Sequence, residues 1–187
     1  MAEFPDHPFW DFSLDVYMSE GVGAACLALQ EAQELDVNVL LYCSWLGASG
    51  RGVLNDSEMD AALGAVADWH EKVVRSLRAV RTRMKGGVAN APAELAESLR
   101  QRIQKAEIDC EHTEQLMLAA AVDRAADSSL AENRRAADAA ANIGLYFAHS
   151  GRVATDTDRA NLGVILGVAF RGVPEAEMSE IRGSIGR

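Results

Sequence analysis

Residues 57–84 read SEMDAALGAVADWHEKVVRSLRAVRTRM, and this stretch decides the fold class. Apolar side chains and one histidine recur along it at alternating steps of four and three, at Met59, Leu63, Val66, His70, Val73, Leu77, Val80 and Met84. This heptad pattern predicts a long helix that packs against another helix. At about 1.5 Å per residue, its length would be about 42 Å. Ser57 with Asp60 resembles a capping box and predicts the helix start.

A second long helix is predicted after Gly86-Gly87, where Asn90 and Pro92 precede it. Its apolar spacing repeats the same interval at Leu99, Ile103, Ala106, Cys110, Thr113, Met117 and Ala120. Two long helices joined by a short glycine-containing turn pack antiparallel. Folding this hairpin about residue 88 would place His70 near Ala106, Glu107 and Cys110.

The remaining chain also favours helices, because no run of β-branched residues alternates with polar ones. Helices are predicted at roughly 9–19, 20–34, 37–48, 130–149, 157–171 and 174–184, with Asp36 and the pair Thr155–Asp158 as caps. We therefore predict a single all-α domain, a helical bundle built on the long antiparallel hairpin. Its parts would be aromatic N-terminal helices over 1–52, the hairpin over 57–126 and C-terminal helices over 130–187.

Composition excludes several classes of protein. The chain has 187 residues, 49% of them hydrophobic, and a net charge of -10, so a surface that binds nucleic acid throughout is disfavoured. Three cysteines without a CxxC pair fit a reducing compartment. The acidic N-terminus lacks the features of a secretory signal, and the longest uncharged run, Val37 to Gly50, is 14 residues. We expect a cytoplasmic protein without a membrane segment.

Several motifs of the first two thirds of the chain resemble a known family. They are Phe9-Trp10-Asp11-Phe12-Ser13-Leu14, Gly21-Val22, Ala25-Cys26-Leu27, Leu29-Gln30, Asp36-Val37-Asn38, Leu40-Leu41-Tyr42, Trp69, Val73-Val74, Leu77-Arg78, Arg81 and the segment Glu107 to Glu111. The chain resembles, over about residues 9–120, an uncharacterised proteobacterial family of small helical proteins of unknown function. The resemblance implies a cytoplasmic bacterial protein and supplies no activity or catalytic residue.

His70 is the first candidate for a functional residue. With Glu107, Glu111 and Cys110 nearby in the predicted hairpin, it could form a buried histidine–carboxylate or histidine–thiol couple that acts as a ligand site or pH switch. The alternative is a core histidine satisfied by one hydrogen bond, which fixes the register of the hairpin. Both readings stay open.

The second long helix carries an acidic segment around Glu107 and Glu111. Glu107, Glu111 and Glu114 share one helix face, and Asp109 and His112 form the only Asp-x-x-His pair. Carboxylate-bridged dimetal bundles need such a pair on each of two helices. We therefore predict no metal, no cofactor and no catalytic residue, and interpret the acidic face as solvated or ion-paired.

The charge distribution suggests a different function. Residues 71–105 hold nine Lys and Arg against three acids, whereas residues 1–70 hold twelve acids and one base. The basic residues are Lys72, Arg75, Arg78, Arg81, Arg83 and Lys85. They form either a solvated face or a surface for an acidic partner, which is a protein, nucleic-acid phosphate or a second copy of the chain.

Trp10 and Phe12 belong to an aromatic N-terminal segment that either caps the core or stays exposed for a partner. The leading hypothesis is a non-enzymatic binding or scaffold protein that engages a protein partner through the basic arm and the aromatic base. A homo-oligomer is possible, and nucleic acid is a less favoured partner. The alternative is a helical-bundle enzyme or small-ligand carrier with a pocket near His70, Glu107 and Glu111. A deep, polar-lined cavity reaching these residues would favour the alternative.

Overall fold

The computed structural model describes residues 4–186, and within them the regular secondary structure is helical, which confirms the all-α prediction. Residues 1–3, on which part of the expectation about a secretory signal rests, lie outside the described residues. The elements are α1 (Pro8–Tyr17), α2 (Val22–Gln33), α3 (Val37–Ala48), α4 (Asp56–Trp69), a π-helical turn (His70–Val74), α5 (Arg75–Arg83), α6 (Ala93–Ala121), α7 (Glu132–His149), α8 (Asp156–Ala169) and α9 (Glu175–Gly183).

Helix α3 is the centre of the core, because it contains no charged residue and is buried from Asn38 to Gly47. Asp36 caps it as predicted, since its side chain accepts a hydrogen bond from the Asn38 N–H at 2.8 Å. The most extensive helix contact is that of α3 with α7, and α8 packs on α2. The C-terminal helices therefore share one hydrophobic core with the N-terminal helices.

The predicted capping box at Ser57 is wrong. Asn55 is the N-cap of α4, and Glu58 completes the box by accepting the Asn55 N–H at 2.8 Å. Asn55 can cap because its backbone is extended there, and its side chain accepts from the Glu58 N–H. Ser57 instead donates its hydroxyl to the Asn55 side chain at 2.7 Å.

The uninterrupted heptad over residues 57–84 is also wrong after His70. The Arg75 N–H bonds to the His70 carbonyl, which widens one turn and inserts a residue into the helical period. The buried face consequently shifts from Val73 to Val74, and Val80 is 45% exposed. The π-helical turn thus rotates α5 relative to the face that α4 presents.

Helix α6 packs along α4, the π-helical turn and α5. Three ion pairs connect residues 58–78 with residues 107–124: Glu58 with Arg124, His70 with Glu114 and Arg78 with Glu107. The residue numbers rise in the first segment as they fall in the second, so the two segments run in opposite directions. His70 faces Glu114 rather than Ala106 to Cys110, because the facing pairs His70–Glu114 and Arg78–Glu107 are centred on about residue 92 and not on residue 88.

The apolar stripe predicted on α6 is half-buried from Ile103 to Met117 and exposed at Leu99 and Ala120. Leu99 is 48% exposed, whereas the buried positions on this helix include Glu107, Glu114, Gln115 and Leu118. A polar row faces the rest of the protein because each of its carboxylates meets a cationic side chain on the opposite helices.

Within residues 4–186, no single helix combines the length and the apolar composition needed to cross a membrane, although the bent pair α1 and α2 passes that test when taken together.

Candidate functional site

Three ionisable side chains from separate parts of the chain converge at the π-helical turn. His70 Nδ1 lies 2.9 Å from Asp36 Oδ2 and 3.0 Å from Glu114 Oε1. Asp36 precedes α3, and Glu114 lies fully buried on α6. A single imidazole nitrogen thus faces one oxygen of each carboxylate. We call this group the Asp36–His70–Glu114 cluster.

Asn38 orients both carboxylates of the cluster. Its backbone N–H donates to Asp36 Oδ1 at 2.8 Å, and its side-chain amide donates to Glu114 Oε2 at 2.6 Å. The Asn38 side-chain oxygen accepts from Gln115 Nε2 at 2.9 Å. Asn38 thus has the buried hydrogen-bond partners that an amide on an otherwise apolar helix requires. As a result, one oxygen of each carboxylate is held by Asn38, and the other points to His70.

The cluster strongly perturbs its own protonation. Burial alone would lower the pKa of His70, but hydrogen bonds and the charges of Asp36 and Glu114 raise it to about 10. Burial raises the pKa of Glu114 to about 7, although its bonds to His70 and Asn38 act in the opposite direction. His70 is therefore cationic at neutral pH. Burial disfavours the ionised form of Glu114, the second carboxylate of the cluster.

Arg78 forms a second buried cluster next to the first. Its guanidinium donates to Glu107 at 3.0 Å, to Glu111 at 2.6 Å and to Gln30 at 2.6 Å. Arg81 donates to the same Glu107 carboxylate. Burial would raise the pKa of Glu107, but hydrogen bonds from Arg81 and Arg78 lower it below the ordinary value. The acidic face on α6 is thus ion-paired rather than solvated.

Two cavities flank these clusters and share Gln30, Asp36 and Arg78 as lining residues. The larger cavity, about 690 Å³, is also lined by His70. The smaller cavity, about 440 Å³, is also lined by Glu107 and Glu111. Both volumes fall in the range typical of small-molecule sites, about 300–1,000 Å³. The sequence predicts one pocket near His70, Glu107 and Glu111. Neither cavity is lined by all three residues, but the two cavities together are.

The smaller cavity has a polar interior and an apolar mouth. Ser13 Oγ and Gln115 Oε1 are buried without a hydrogen-bond partner, and both residues line this cavity. Exposed apolar side chains surround its opening, namely Leu14, Tyr17, Met18, Leu27 and Ile108. Buried polar atoms normally have a partner, so these two atoms indicate hydrogen-bonding capacity that a bound molecule would use.

Of the remaining candidates, Cys110 lies beside the two clusters, Trp10 lines the smaller cavity and Phe12 packs against the core. Cys110 is half-buried, and its carbonyl, not its thiol, accepts the Trp69 indole N–H at 3.0 Å. Burial also raises the pKa of the Cys110 thiol, so it is a poor nucleophile at neutral pH. Trp10 stacks on His112 with ring centroids 4.1 Å apart, and Phe12 packs against the core.

The predicted basic arm is largely neutralised. Arg78 and Arg81 belong to the buried cluster, and the exposed Lys72 and Arg75 pair with Asp68 and Glu71 one helical turn earlier. Two further cations, Arg83 and Lys85, are exposed and have no acidic partner among residues 4–186.

Sequence reasoning missed Asp36 and Glu114 as members of one cluster. The sequence predicts Asp36 as a helix cap, and Asp36 does cap α3. Glu114 is one of several acidic residues on α6, and nothing in the sequence distinguishes it from the others. The one sequence signal is Asn38, an amide within an otherwise apolar helix, because such a group requires polar partners nearby.

Comparison with known proteins gives a family and no activity. The profile of a family described as "Protein of unknown function (DUF2390)" matches residues 8–118, which is more than half of the chain. Neither a search of curated proteins nor a search of solved structures found a match. The predicted membership of a family of unknown function is confirmed. This chain belongs to the DUF2390 family, and the matched residues include every member of the Asp36–His70–Glu114 cluster.

Proposed function

We propose that this protein binds a small amphiphilic molecule in the smaller cavity, between α1–α2 and α5–α6. The observation that carries the proposal is a pair of buried polar atoms without a hydrogen-bond partner, Ser13 Oγ and Gln115 Oε1, on two residues that line a cavity whose mouth is apolar. A ligand with a hydroxyl or amide donor would satisfy Gln115, and its apolar part would cover Leu14 and Met18.

The charges in the smaller cavity support a ligand that is not strongly charged. Arg78, Arg81 and Lys85 are balanced there by Asp36, Glu107 and Glu111. The two arginines already donate to carboxylates, so an anionic ligand would have to displace strong charge-assisted hydrogen bonds. Hydrogen bonding and apolar contact are therefore the main sources of affinity.

A titration with the uncharged fluorescent probe N-phenyl-1-naphthylamine tests the cavity. We expect one saturable site on the folded chain, with affinity reduced at least about tenfold by Leu14→Asp or Met18→Asp. The matched controls are Leu95→Asp and Val153→Asp, which alter equally exposed apolar side chains outside the cavity. Equal affinity in all four variants, or binding that does not saturate, would contradict the proposal.

The role of Ser13 separates ligand binding from ordinary packing. Ser13→Ala removes a buried hydroxyl that has no partner, so stability should be unchanged or higher. If the hydroxyl serves a ligand, molecules that co-purify with the wild-type protein and appear in native mass spectra should be depleted in this variant. Equal retention of those molecules by the two proteins would assign Ser13 no role in binding.

A protein partner is a second proposal. Arg83 and Lys85 are exposed without an acidic partner among residues 4–186, so they are free to bind an acidic surface. Such binding should weaken as salt rises from low to moderate concentration. Exchange of both residues for Gln should abolish that salt dependence, whereas Lys72→Gln should not. A second copy of the chain is one partner that light scattering would reveal.

We also propose a reducing, cytoplasmic location in a bacterium. Cys26 and Cys43 are buried as free thiols, and Cys110 is free and half-buried, which is typical of a reducing compartment.

A further inference from the structure

The Asp36–His70–Glu114 cluster has the dimensions of a metal site. Its three ligand atoms all lie within 4.8 Å of one another, and two of the separations are 2.9 and 3.0 Å. Carboxylate oxygens and imidazole nitrogens bind zinc at about 2.0–2.2 Å, which places neighbouring ligands about 3.0–3.5 Å apart. The two separations that involve His70 are close to that range.

The surroundings of the cluster direct its free atoms to one point. Asn38 occupies the second oxygen of both carboxylates, and Gln115 in turn holds the Asn38 side chain. Hydrogen bonds from outer residues fix the ligands of metal sites in this way. The remaining oxygens of Asp36 and Glu114 then meet at His70 Nδ1, which has one hydrogen to offer to two acceptors.

Charge and access also fit a cation. Release of the Nδ1 proton leaves a neutral imidazole and two carboxylates with a total charge of -2, which a divalent ion bound in place of that proton neutralises. Asp36 and His70 line the larger cavity, so an ion has a path to the cluster and room to keep solvent ligands. One nitrogen and two oxygen donors favour a first-row transition ion over Mg²⁺, which prefers oxygen alone.

We propose that Asp36, His70 and Glu114 bind one divalent transition-metal ion, with Asn38 as the positioning residue. The sequence analysis predicts no metal, because the Asp-x-x-His pair on α6 lacks a second copy. The proposed ligands do not include that pair, since they come from the loop before α3, the π-helical turn and α6. Asp36, Asn38 and Gln115 also line the smaller cavity, but the probe for that cavity reports on Leu14 and Met18, so the two proposals can fail separately.

Calorimetric titration of chelator-treated full-length protein with Zn²⁺ tests the proposal. We expect one ion per chain, weaker binding of Mn²⁺ and no saturable binding of Mg²⁺. Asp36→Asn retains an N-cap for α3, and Glu114→Gln retains the side-chain size, yet each should weaken Zn²⁺ binding at least about tenfold.

The chain offers a matched control in His149. This side chain also meets two carboxylates, with Nδ1 2.9 Å from Asp60 and Nε2 3.0 Å from Asp56. Its acceptors lie at different ring nitrogens, so they do not converge on one point. His149→Gln should therefore leave Zn²⁺ affinity unchanged.

A spectroscopic measurement on the wild-type protein removes any dependence on variants that fold poorly. One equivalent of Zn²⁺ should shift the imidazole nitrogen resonances of His70 and leave those of His149 and His7 unshifted. Absence of saturable binding, a shift confined to another histidine, or equal affinity of Asp36→Asn and the wild type would overturn the proposal.

Discussion

The Asn38 side-chain amide donates to Glu114 Oε2 at 2.6 Å across the interface of α3 and α6, and both residues are buried. This bond couples the most apolar helix of the core to the polar row of α6. It also sets the direction of the second Glu114 oxygen, which lies 3.0 Å from His70. The position of Glu114 in the cluster therefore depends on an amide 76 residues away in sequence.

Replacement of Asn38 should destabilise the fold. Asn38→Leu leaves Glu114 and Gln115 without their buried partner, and we expect a loss of about 2–3 kcal/mol in the free energy of unfolding. Urea denaturation measures it. Asn133→Leu is the control, because Asn133 donates to Glu177 on the exposed surface and should change stability by less than about 0.5 kcal/mol. Equal losses in the two variants would refute the importance of the buried bond.

Replacement of Arg78 should be costly, because it leaves the buried Glu107 and the half-buried Glu111 short of donors. We expect Arg78→Met to lower the free energy of unfolding by about 2–4 kcal/mol, with Arg81 still bound to Glu107. Lys72 and Arg75 form exposed ion pairs with Asp68 and Glu71. Replacement of either by Met should lower the free energy of unfolding by less than about 0.5 kcal/mol. A loss for Arg78→Met no larger than theirs would show that the buried cluster contributes little.

His149 should make stability depend on pH. Hydrogen bonds that His149 donates to Asp56 and to Asp60 raise the pKa of His149 above its ordinary value of 6.5. The protonated form is thus favoured by folding, and its contribution is complete below pH 6.5 and disappears as pH rises through the folded-state pKa. His149→Gln should therefore destabilise by up to about 1 kcal/mol at about pH 5.5 and by almost nothing at about pH 9.

A double-mutant cycle checks the cause of this pH dependence. Asp60→Asn should reduce stability at low pH in the wild-type background and have no effect when His149 is already Gln. A pH-independent difference between wild type and His149→Gln would contradict the electrostatic explanation.

Gly47 should tolerate no side chain. A Cβ there would lie 2.4 Å from the Arg135 carbonyl oxygen and 2.6 Å from the Ala139 nitrogen, so α3 and α7 would have to separate. We expect Gly47→Ala to cost at least about 3 kcal/mol. Gly64→Ala is the control, because nothing lies within 4 Å of its Cβ position in α4, and it should stabilise by about 0.5–1 kcal/mol. Thermal unfolding of both variants measures the contrast, and a stable Gly47→Ala would show that α3 and α7 are not in close contact.

Periodicity predicted the helices well, because apolar spacing and caps are local properties of the chain. The predicted range 37–48 matches Val37–Ala48, and the Thr155–Asp158 capping box is confirmed. The apolar periodicity failed to predict the structure at His70, because the π-helical turn adds one residue to the helical period without a local sequence signal. It failed again at Glu107, whose burial depends on Arg78 and Arg81 from the facing helix.

The same limit applies to the candidate site. His70 was identified from its position in an apolar series, but Asp36 joins it from a residue 34 positions earlier and Glu114 from one 44 positions later. Such contacts depend on the register between elements, which helical spacing alone leaves open. The register prediction was wrong because it centred the hairpin on residue 88, whereas the facing pairs His70–Glu114 and Arg78–Glu107 are centred on about residue 92.

The most direct test of the metal site is a crystal structure of the protein grown with Zn²⁺, with anomalous diffraction recorded at the zinc absorption edge. We predict one strong anomalous peak within about 2.0–2.2 Å of Asp36 Oδ2, His70 Nδ1 and Glu114 Oε1. A structure in which those three atoms keep their direct hydrogen bonds, with zinc absent or bound elsewhere, would contradict the assignment.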